Sequence, residues 1–258
     1  MPFVVKTIRL DLVEKNYRIN DMEISTLNVL IETIKSNISV TEILISESRK
    51  DKRVTEVINL CKKNKLLYKI VPPIVIEKKL GKENQGVFAN ISPISFSNVD
   101  DIIKNAKKGL ILILDKINDT GNLGAIIRTV AGADIDGIIM PKRGSAPINE
   151  TVLKASSGGL LKVKIALVSN LNSEIEKLKK KGYWIASMIM NGNIEYYNYD
   201  FNYKTALVLG NEHNGVSELL KKNSDYLLSI PHSDNIESLN VSVATAVVIF
   251  EALRQKTI

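Results

Sequence analysis

Leu110-Ile-Leu-Ile-Leu-Asp-Lys-Ile-Asn-Asp-Thr-Gly-Asn-Leu-Gly-Ala-Ile-Ile-Arg-Thr-Val-Ala-Gly132 carries an apolar run into a polar turn and then into a helical pattern. A short apolar run without alternation is the pattern of a strand covered on both faces, as in a parallel sheet. Within the helical part, Gly124, Arg128 and Gly132 are spaced four apart and share one stripe. Arg128 therefore emerges between two residues without side chains, where another backbone or a ligand can approach closely. The plainer alternative is tight helix packing at the glycines, with Arg128 in a surface ion pair.

Downstream, short apolar runs alternate with helical patterns: Gly137–Met140, Val163–Val168, a helix over Leu171–Lys181, Tyr183–Ile189, Ala206–Leu209, Tyr226–Ile230 and a helix over Leu239–Leu253. This alternation predicts an α/β fold whose mostly parallel sheet carries helices on both faces. Leu171, Ile175 and Leu178 fall on one stripe of their helix, opposite a solvated face of Lys177, Lys179 and Lys180. Ligands of such sheets bind beyond the carboxyl ends of the strands, so the residues just after each run are the informative ones.

Two more such places stand out. In Thr205-Ala-Leu-Val-Leu-Gly-Asn-Glu-His-Asn-Gly215 a strand ends at Gly210, followed closely by Glu212 and a second glycine. Gly210 lets main-chain amides approach a ligand with no Cβ in the way; a plain turn with Glu212 capping the next helix is the alternative. In Ser229-Ile-Pro-His-Ser-Asp-Asn-Ile-Glu-Ser-Leu-Asn-Val-Ser-Val-Ala244 a strand ends at Ile230, and a helix opens near Ser238 or Asn240, both good capping types. No charge occurs from Ser238 to Phe250, and apolar residues surround the helix, which is expected to be buried nearly all round. Its cover is either a second subunit or one large core.

Upstream the character changes. Only Gly81 and Gly86 of the 14 glycines precede residue 97. The patterns there are short: a helix around Glu23–Lys35, a strand at Thr41–Ile45, a helix around Asp51–Lys63, and strands at Leu67–Ile70 and Gly86–Ile91. The uncharged Ile91-Ser-Pro-Ile-Ser-Phe-Ser-Asn98, with Pro93 and three serines, reads as a linker. The expected division is a small α/β domain over residues 1–96 and a larger one over 97–258.

The 258 residues, 45% apolar and 24% charged, are ordinary globular usage and exclude disordered, collagenous and disulfide-scaffold classes. No run approaches the roughly 18 apolar residues of a membrane span, and Met1 to Leu10 lacks the pattern of a signal peptide. A soluble, cytoplasmic protein without membrane association is expected. Cys61, His213 and His232 make no cluster, so no protein-built metal site is expected. The net charge of +7 lies mostly in residues 1–96, with 16 Lys+Arg against 11 Asp+Glu, versus 19 against 17 in the remainder. Such a balance suits a polyanion such as RNA. Gly121-Asn-Leu-Gly124 is not a dinucleotide-binding turn, and neither a phosphate-binding Gly-x-x-x-x-Gly-Lys-Ser/Thr loop nor a Gly-x-Ser-x-Gly elbow occurs.

Taken in order, Asn118 to Arg128, Leu209 to Gly215 and Ile230 to Val243 resemble the three motifs of the SpoU family of RNA ribose 2′-O-methyltransferases, within the SPOUT superfamily. The preceding module resembles the L30e-like substrate-binding domain of the branch acting on guanosines of 23S ribosomal RNA, down to Asn84-Gln-Gly-Val-Phe-Ala89. The resemblance implies S-adenosylmethionine as cofactor, a trefoil knot at the carboxyl end, a homodimer and an RNA substrate, foremost 23S rRNA. A tRNA substrate, and an inert RNA-binding factor of the same fold, are the alternatives it leaves. It places cofactor contacts on Gly210, Ile230 and Leu239, and catalytic or substrate-orienting roles on Asn122, Arg128, Glu212, Ser238 and Asn240. Four positions depart from the family pattern: Thr120 where proline is usual, His232 for methionine, Asp234 for glycine and Asn84 for histidine.

Overall fold

The computed structural model describes residues 22–257 except 37, 83, 93 and 234. The signal-peptide reading of Met1–Leu10, Pro93 of the linker and the substituted Asp234 lie outside the described residues. Met22 and Ile24 are buried while Glu23 points out, a period-two pattern that makes β1 (Met22–Ile24). The helix predicted from Glu23 begins only at α1 (Leu27–Lys35), after Thr26, whose side chain accepts from the Val29 amide. Next come β2 (Val40–Ser46) and α2 (Lys52–Lys63), the latter capped by Asp51, which accepts from the Arg53 and Val54 amides. β3 (Lys69–Val71) starts two residues later than predicted and ends where Pro72-Pro73 opens α3 (Pro73–Leu80) with proline in its first turn. Asn84 then closes the turn into β4 (Val87–Ile91), donating to the Gly81 carbonyl and accepting from the Gly86 amide. These strands form one sheet, β1-β4-β2-β3, in which β4 is antiparallel to β1 and β2, while β2 and β3 are parallel.

The second sheet is larger and parallel at every pairing. After α4 (Val99–Lys104) the chain lays down β5 (Leu110–Asp115), α5 (Thr120–Ala133), β6 (Gly137–Pro141), α6 (Glu150–Ala155), β7 (Ile165–Val168), α7 (Leu171–Lys180) and β8 (Trp184–Met188). It continues through β9 (Ile194–Glu195), β10 (Thr205–Gly210), α8 (Glu218–Lys222), β11 (Tyr226–Ser229) and α9 (Val241–Thr257). The strand order is β7-β6-β5-β10-β8-β11-β9. One half of the sheet grows outward from β5 through β6 to β7. The other half is reached only when β10 inserts between β5 and β8, a reversal of order of the kind that opens a crevice at the strand ends.

Residue alternation on β5 decides the two cores. Leu110, Leu112 and Leu114 join one cluster with residues of α5, α6 and α9, while Ile111 and Ile113 join the other with residues of α4, α7 and α8. The first cluster continues into the amino-terminal module through Met22, Ile24, Leu30 and Val57. The segment read as a linker is attached at its far end: the Ser97 amide donates to the Ile165 carbonyl at 2.9 Å, bridging onto the β7 edge. The stripe Leu171, Ile175, Leu178 is buried as predicted, but the lysine face is partly engaged, with Lys179 ion-paired to Asp225 at 2.9 Å.

The carboxyl-terminal helix departs from its predicted surroundings. It starts at Val241, where Asn240 accepts from the Ser242 amide, and it is not buried all round: Val243 and Phe250 are 49% and 53% exposed. Glu251, held near pKa 2 by hydrogen bonds from Arg254 and Gln255, belongs to a knot of polar contacts there, and Gln255 also binds the Phe201 amide and the Tyr199 carbonyl. Among the described residues, no helix is long and apolar enough to cross a membrane.

The glycine stripe of α5 divides by function. A Cβ on Gly124 would sit 2.4 Å from the Ala155 Cβ, whereas one on Gly132 would meet nothing within 4 Å. Gly124→Ala is therefore expected to destabilise the protein by about 1–3 kcal/mol through overpacking of α5 on α6. Gly132→Ala is expected to add up to about 1 kcal/mol by helix propensity. Denaturant unfolding of the two variants reads both signs.

Candidate active site

β8, β10 and β11 end side by side, and the loops that follow them enclose a cavity of about 400 Å³. Its walls come from Met188–Asn191 after β8, Leu209–Val216 after β10, and Ile230, His232 and Ser238–Val241 in part, between β11 and α9. This volume is the scale of a pocket for one small molecule. The apolar wall is Met188, Leu209, Ile230, Leu239 and Val241; the polar groups concentrate around Glu212 and its neighbours. All three predicted cofactor positions, Gly210, Ile230 and Leu239, line it, as do Glu212 and Ser238.

The loop after β10 is built by local hydrogen bonds. Asn211 accepts from the His213 and Asn214 amides at 3.0 and 2.7 Å through its side chain, and its carbonyl accepts from the Gly215 amide at 3.0 Å. Asp115, buried at the end of β5 and in register with Gly210, accepts from the Ser217 amide at 2.8 Å and fixes the far end of the loop. A Cβ on Gly210 would lie 1.9 Å from the carbonyl carbon of Gly215. Glycine is required at 210 because the loop's own backbone returns across it, a constraint additional to its place on the cavity wall. Among the described residues Glu212 caps no helix and turns instead toward α5.

There it meets a chain of amides. Asn240 Oδ1 accepts from the Ser242 amide at 2.8 Å, which leaves its Nδ2 to donate to Asn122 Oδ1 at 2.9 Å. Asn122 Nδ2 then donates to Glu212 Oε1 at 2.7 Å. The direction of the chain is set at both ends: a helix amino terminus demands an acceptor from Asn240, and an ionised carboxylate can only accept. Asn122 itself is pinned in the first turn of α5, its amide donating to the Asp119 cap at 2.7 Å. Thr120 occupies the first position of that helix, where the backbone N–H has no intrahelical partner, so the family's proline is replaced at no cost in hydrogen bonds.

Three of the five predicted catalytic positions are thus hydrogen-bonded together, and Ser238 stands on the cavity wall. Arg128 is elsewhere. Six residues after Asn122, it lies about 240° further round α5 and faces a second cleft beside the amino-terminal module. It is exposed and makes no ion pair among the described residues, so the surface-pair alternative does not hold. The sequence reading passed over Asp115, Asn211 and the Met188–Asn191 wall. The wall had a usable signal, since it too follows the carboxyl end of a parallel strand.

If the Asn122–Glu212 contact is a true coupling, Asn122→Ala and Glu212→Ala will not add. Their double variant is expected to deviate from the sum of the single losses in unfolding free energy by about 0.5–3 kcal/mol. Additivity within about 0.3–0.5 kcal/mol would mean that the two side chains act independently.

A family model for the SpoU rRNA methylase family matches residues 109–250, and one for RNA 2′-O ribose methyltransferase substrate binding matches residues 27–97. A Staphylococcus saprophyticus protein, assigned by its name to the TrmH family of tRNA/rRNA methyltransferases, is 34% identical over 229 residues, covering 87% of this chain and 92% of that protein. The SpoU methyltransferase AviRb of Streptomyces viridochromogenes, solved with AdoMet, superposes with a TM-score of 0.78 at 20% identity, covering 92% of this chain and 91% of that one. An AdoMet-bound rRNA methyltransferase of Sinorhizobium meliloti gives a TM-score of 0.76 at 24% identity, covering 91% and 87%. These two structures speak for the fold. With one family model spanning more than half of the chain, and a 34% identical relative along most of it, the chain belongs to the SpoU family of RNA 2′-O-ribose methyltransferases.

Proposed function

We propose that this enzyme methylates a ribose 2′-hydroxyl of structured ribosomal RNA, foremost 23S rRNA, with S-adenosylmethionine bound in the cavity beyond β8, β10 and β11. The observation that carries the reading is the Asn240–Asn122–Glu212 chain beside that cavity. S-adenosylmethionine supplies an electrophilic methyl on a sulfonium. The residues present fit it: apolar Leu209, Ile230, Leu239 and Val241 would hold its uncharged parts, and the Glu212 carboxylate suits a nearby cation. AviRb and the Sinorhizobium enzyme carry AdoMet in the same fold, which supports the assignment.

Positioning is the larger part of the task. Holding an attacking oxygen and its target in line is worth on the order of 7–11 kcal/mol. Asn122, Asn240 and Ser238 offer neutral hydrogen bonds that orient the ribose without adding charge. Glu212 keeps the Asn122 amide in one orientation. A guanidinium stays protonated in proteins, so Arg128 acts by clamping an RNA phosphate, and the 2′-hydroxyl proton leaves to a phosphate oxygen or to water. Residues 1–96 would grip the RNA and residues 97–258 carry the chemistry, with the family's knotted carboxyl-terminal passage, in the cytoplasm.

The enzyme is proposed to act as a homodimer seated on α9. Its exposed Val243, Phe250 and the half-exposed Val247 between them form an uncharged apolar stripe, and a second copy of the stripe is its natural cover. Sedimentation should find a dimer for the wild type and a folded monomer for Phe250→Glu; an unchanged dimer would place the interface elsewhere.

The reaction is tested by transfer of labelled methyl from S-adenosylmethionine to ribosomal RNA and to tRNA, with products mapped by resistance to alkaline cleavage. Label on a ribose of ribosomal RNA, reduced by roughly 10²-fold in Arg128→Ala because the unclamped strand loses its alignment, is the expected result. Label confined to tRNA would move the substrate. Failure to bind the cofactor would leave an inert RNA-binding protein.

A further inference from the structure

The amino-terminal module and the methyltransferase unit meet along a second cleft of about 470 Å³, with α1 and α2 on one wall and α5 and the turn after α6 on the other. Its charges do not balance internally. Lys35 is ion-paired with Glu56 at 3.0 Å on the module's wall, and Lys162 pairs with Glu32 across the cleft. Those pairs use both carboxylates. Two guanidiniums remain: Arg53 donates to the neutral Asn28 Oδ1 at 2.9 Å and has no carboxylate partner among the described residues, and Arg128 has none on the facing wall.

The spacing of the walls is built in. A Cβ on Gly158 would lie 2.9 Å from the Glu32 Cβ, and Ser25 Oγ donates to Glu150 Oε1 at 2.9 Å across the same junction. These contacts join the two walls at one end of the cleft and set their spacing there. No aromatic side chain lines it, so bases have nothing to stack on. Its volume, within the roughly 300–1,000 Å³ of a small-molecule pocket, admits a short stretch of unpaired strand and not a double helix.

We propose that this cleft holds the sugar–phosphate backbone of the single strand flanking the modified nucleoside, with Arg53 and Arg128 each gripping a phosphate from opposite walls. The inference rests on the RNA methyltransferase reading and adds Arg53 to it as a binding residue. Planar guanidiniums without carboxylate partners match phosphate oxygens bidentately. Contacts of this kind set the register of the RNA without reading its sequence. Because Arg128 stands on the same helix as Asn122, a strand fixed at Arg128 is placed relative to the amide chain by a rigid element.

The test measures binding of fluorescein-labelled dodecauridine RNA, and of the same strand paired with dodecaadenosine RNA, across a salt series. Arg53→Gln is expected to weaken single-strand binding severalfold and to reduce the slope of log K against log salt by about 0.7, the value of one lost phosphate contact to a single strand. Affinity for S-adenosylmethionine and the melting temperature should stay as in the wild type. Lys180→Gln, which removes the same charge from the exposed face of α7, should leave the slope unchanged. An unchanged slope in Arg53→Gln, an equal loss in Lys180→Gln, or equal losses for single strand and duplex would each overturn the proposal. The two readings fail separately. A wild type that transfers no methyl group while Arg53→Gln still lowers single-strand affinity would sink the reaction and leave the cleft standing.

Discussion

The pairing of β5 with β10 is the constraint on which the rest of this molecule depends. Six consecutive residues of each strand are in parallel register, from Leu110 opposite Thr205 to Asp115 opposite Gly210, and all twelve are buried. Each large side chain here is worth roughly 1.5–3 kcal/mol on burial, so slipping the register is prohibitively costly. The ladder ends at the pair that matters. With Asp115 and Gly210 side by side, the Asp115 carboxylate reaches the Ser217 amide, and the loop carrying Glu212 is forced back across Gly210 toward α5.

From that fixed point a purely polar device is suspended. Asn122 lies 90 residues from Glu212 and 118 from Asn240 in sequence, yet each amide has one orientation, dictated outward from the first turn of α9. Neutral amides impose direction along this chain without adding charge beside the Glu212 carboxylate. The Arg128 guanidinium is kept apart, on the other side of α5, so that the amide chain and the arginine occupy separate faces of one helix.

Much of the fold was legible because its strands are short, apolar and bounded by polar turns, and because Leu171, Ile175 and Leu178 announce their own helix. Misreadings have local causes. Glu23 sits between two inward-facing residues, a three-residue alternation too short to outweigh the helix beside it. The helix α3 is not anticipated after the strand read at Leu67–Ile70, because Pro72-Pro73 ends a strand as readily as it begins a helix. The all-round apolarity of α9 says that the helix wants cover and cannot say from which molecule, and a single chain leaves Val243 and Phe250 uncovered. At the site, motif resemblance located every member of the hydrogen-bonded chain, whereas its connectivity is a contact between remote segments and is not written in any one of them. Asp115 was hidden for the same reason: on its own it looks like the polar residue that ends a strand.

The late insertion of β10 shapes how the chain must be made. β6 covers one edge of β5 almost as soon as it is synthesised, but the other edge waits for residues 205–210, 95 residues after Leu110. At about 5–20 residues per second that is roughly 5–20 s during which a strand of five consecutive large apolar residues presents an unpaired edge. The same strand that anchors the finished enzyme is therefore an adhesive edge of the nascent one, and its shelter on the ribosome depends on how promptly the second half of the sheet arrives.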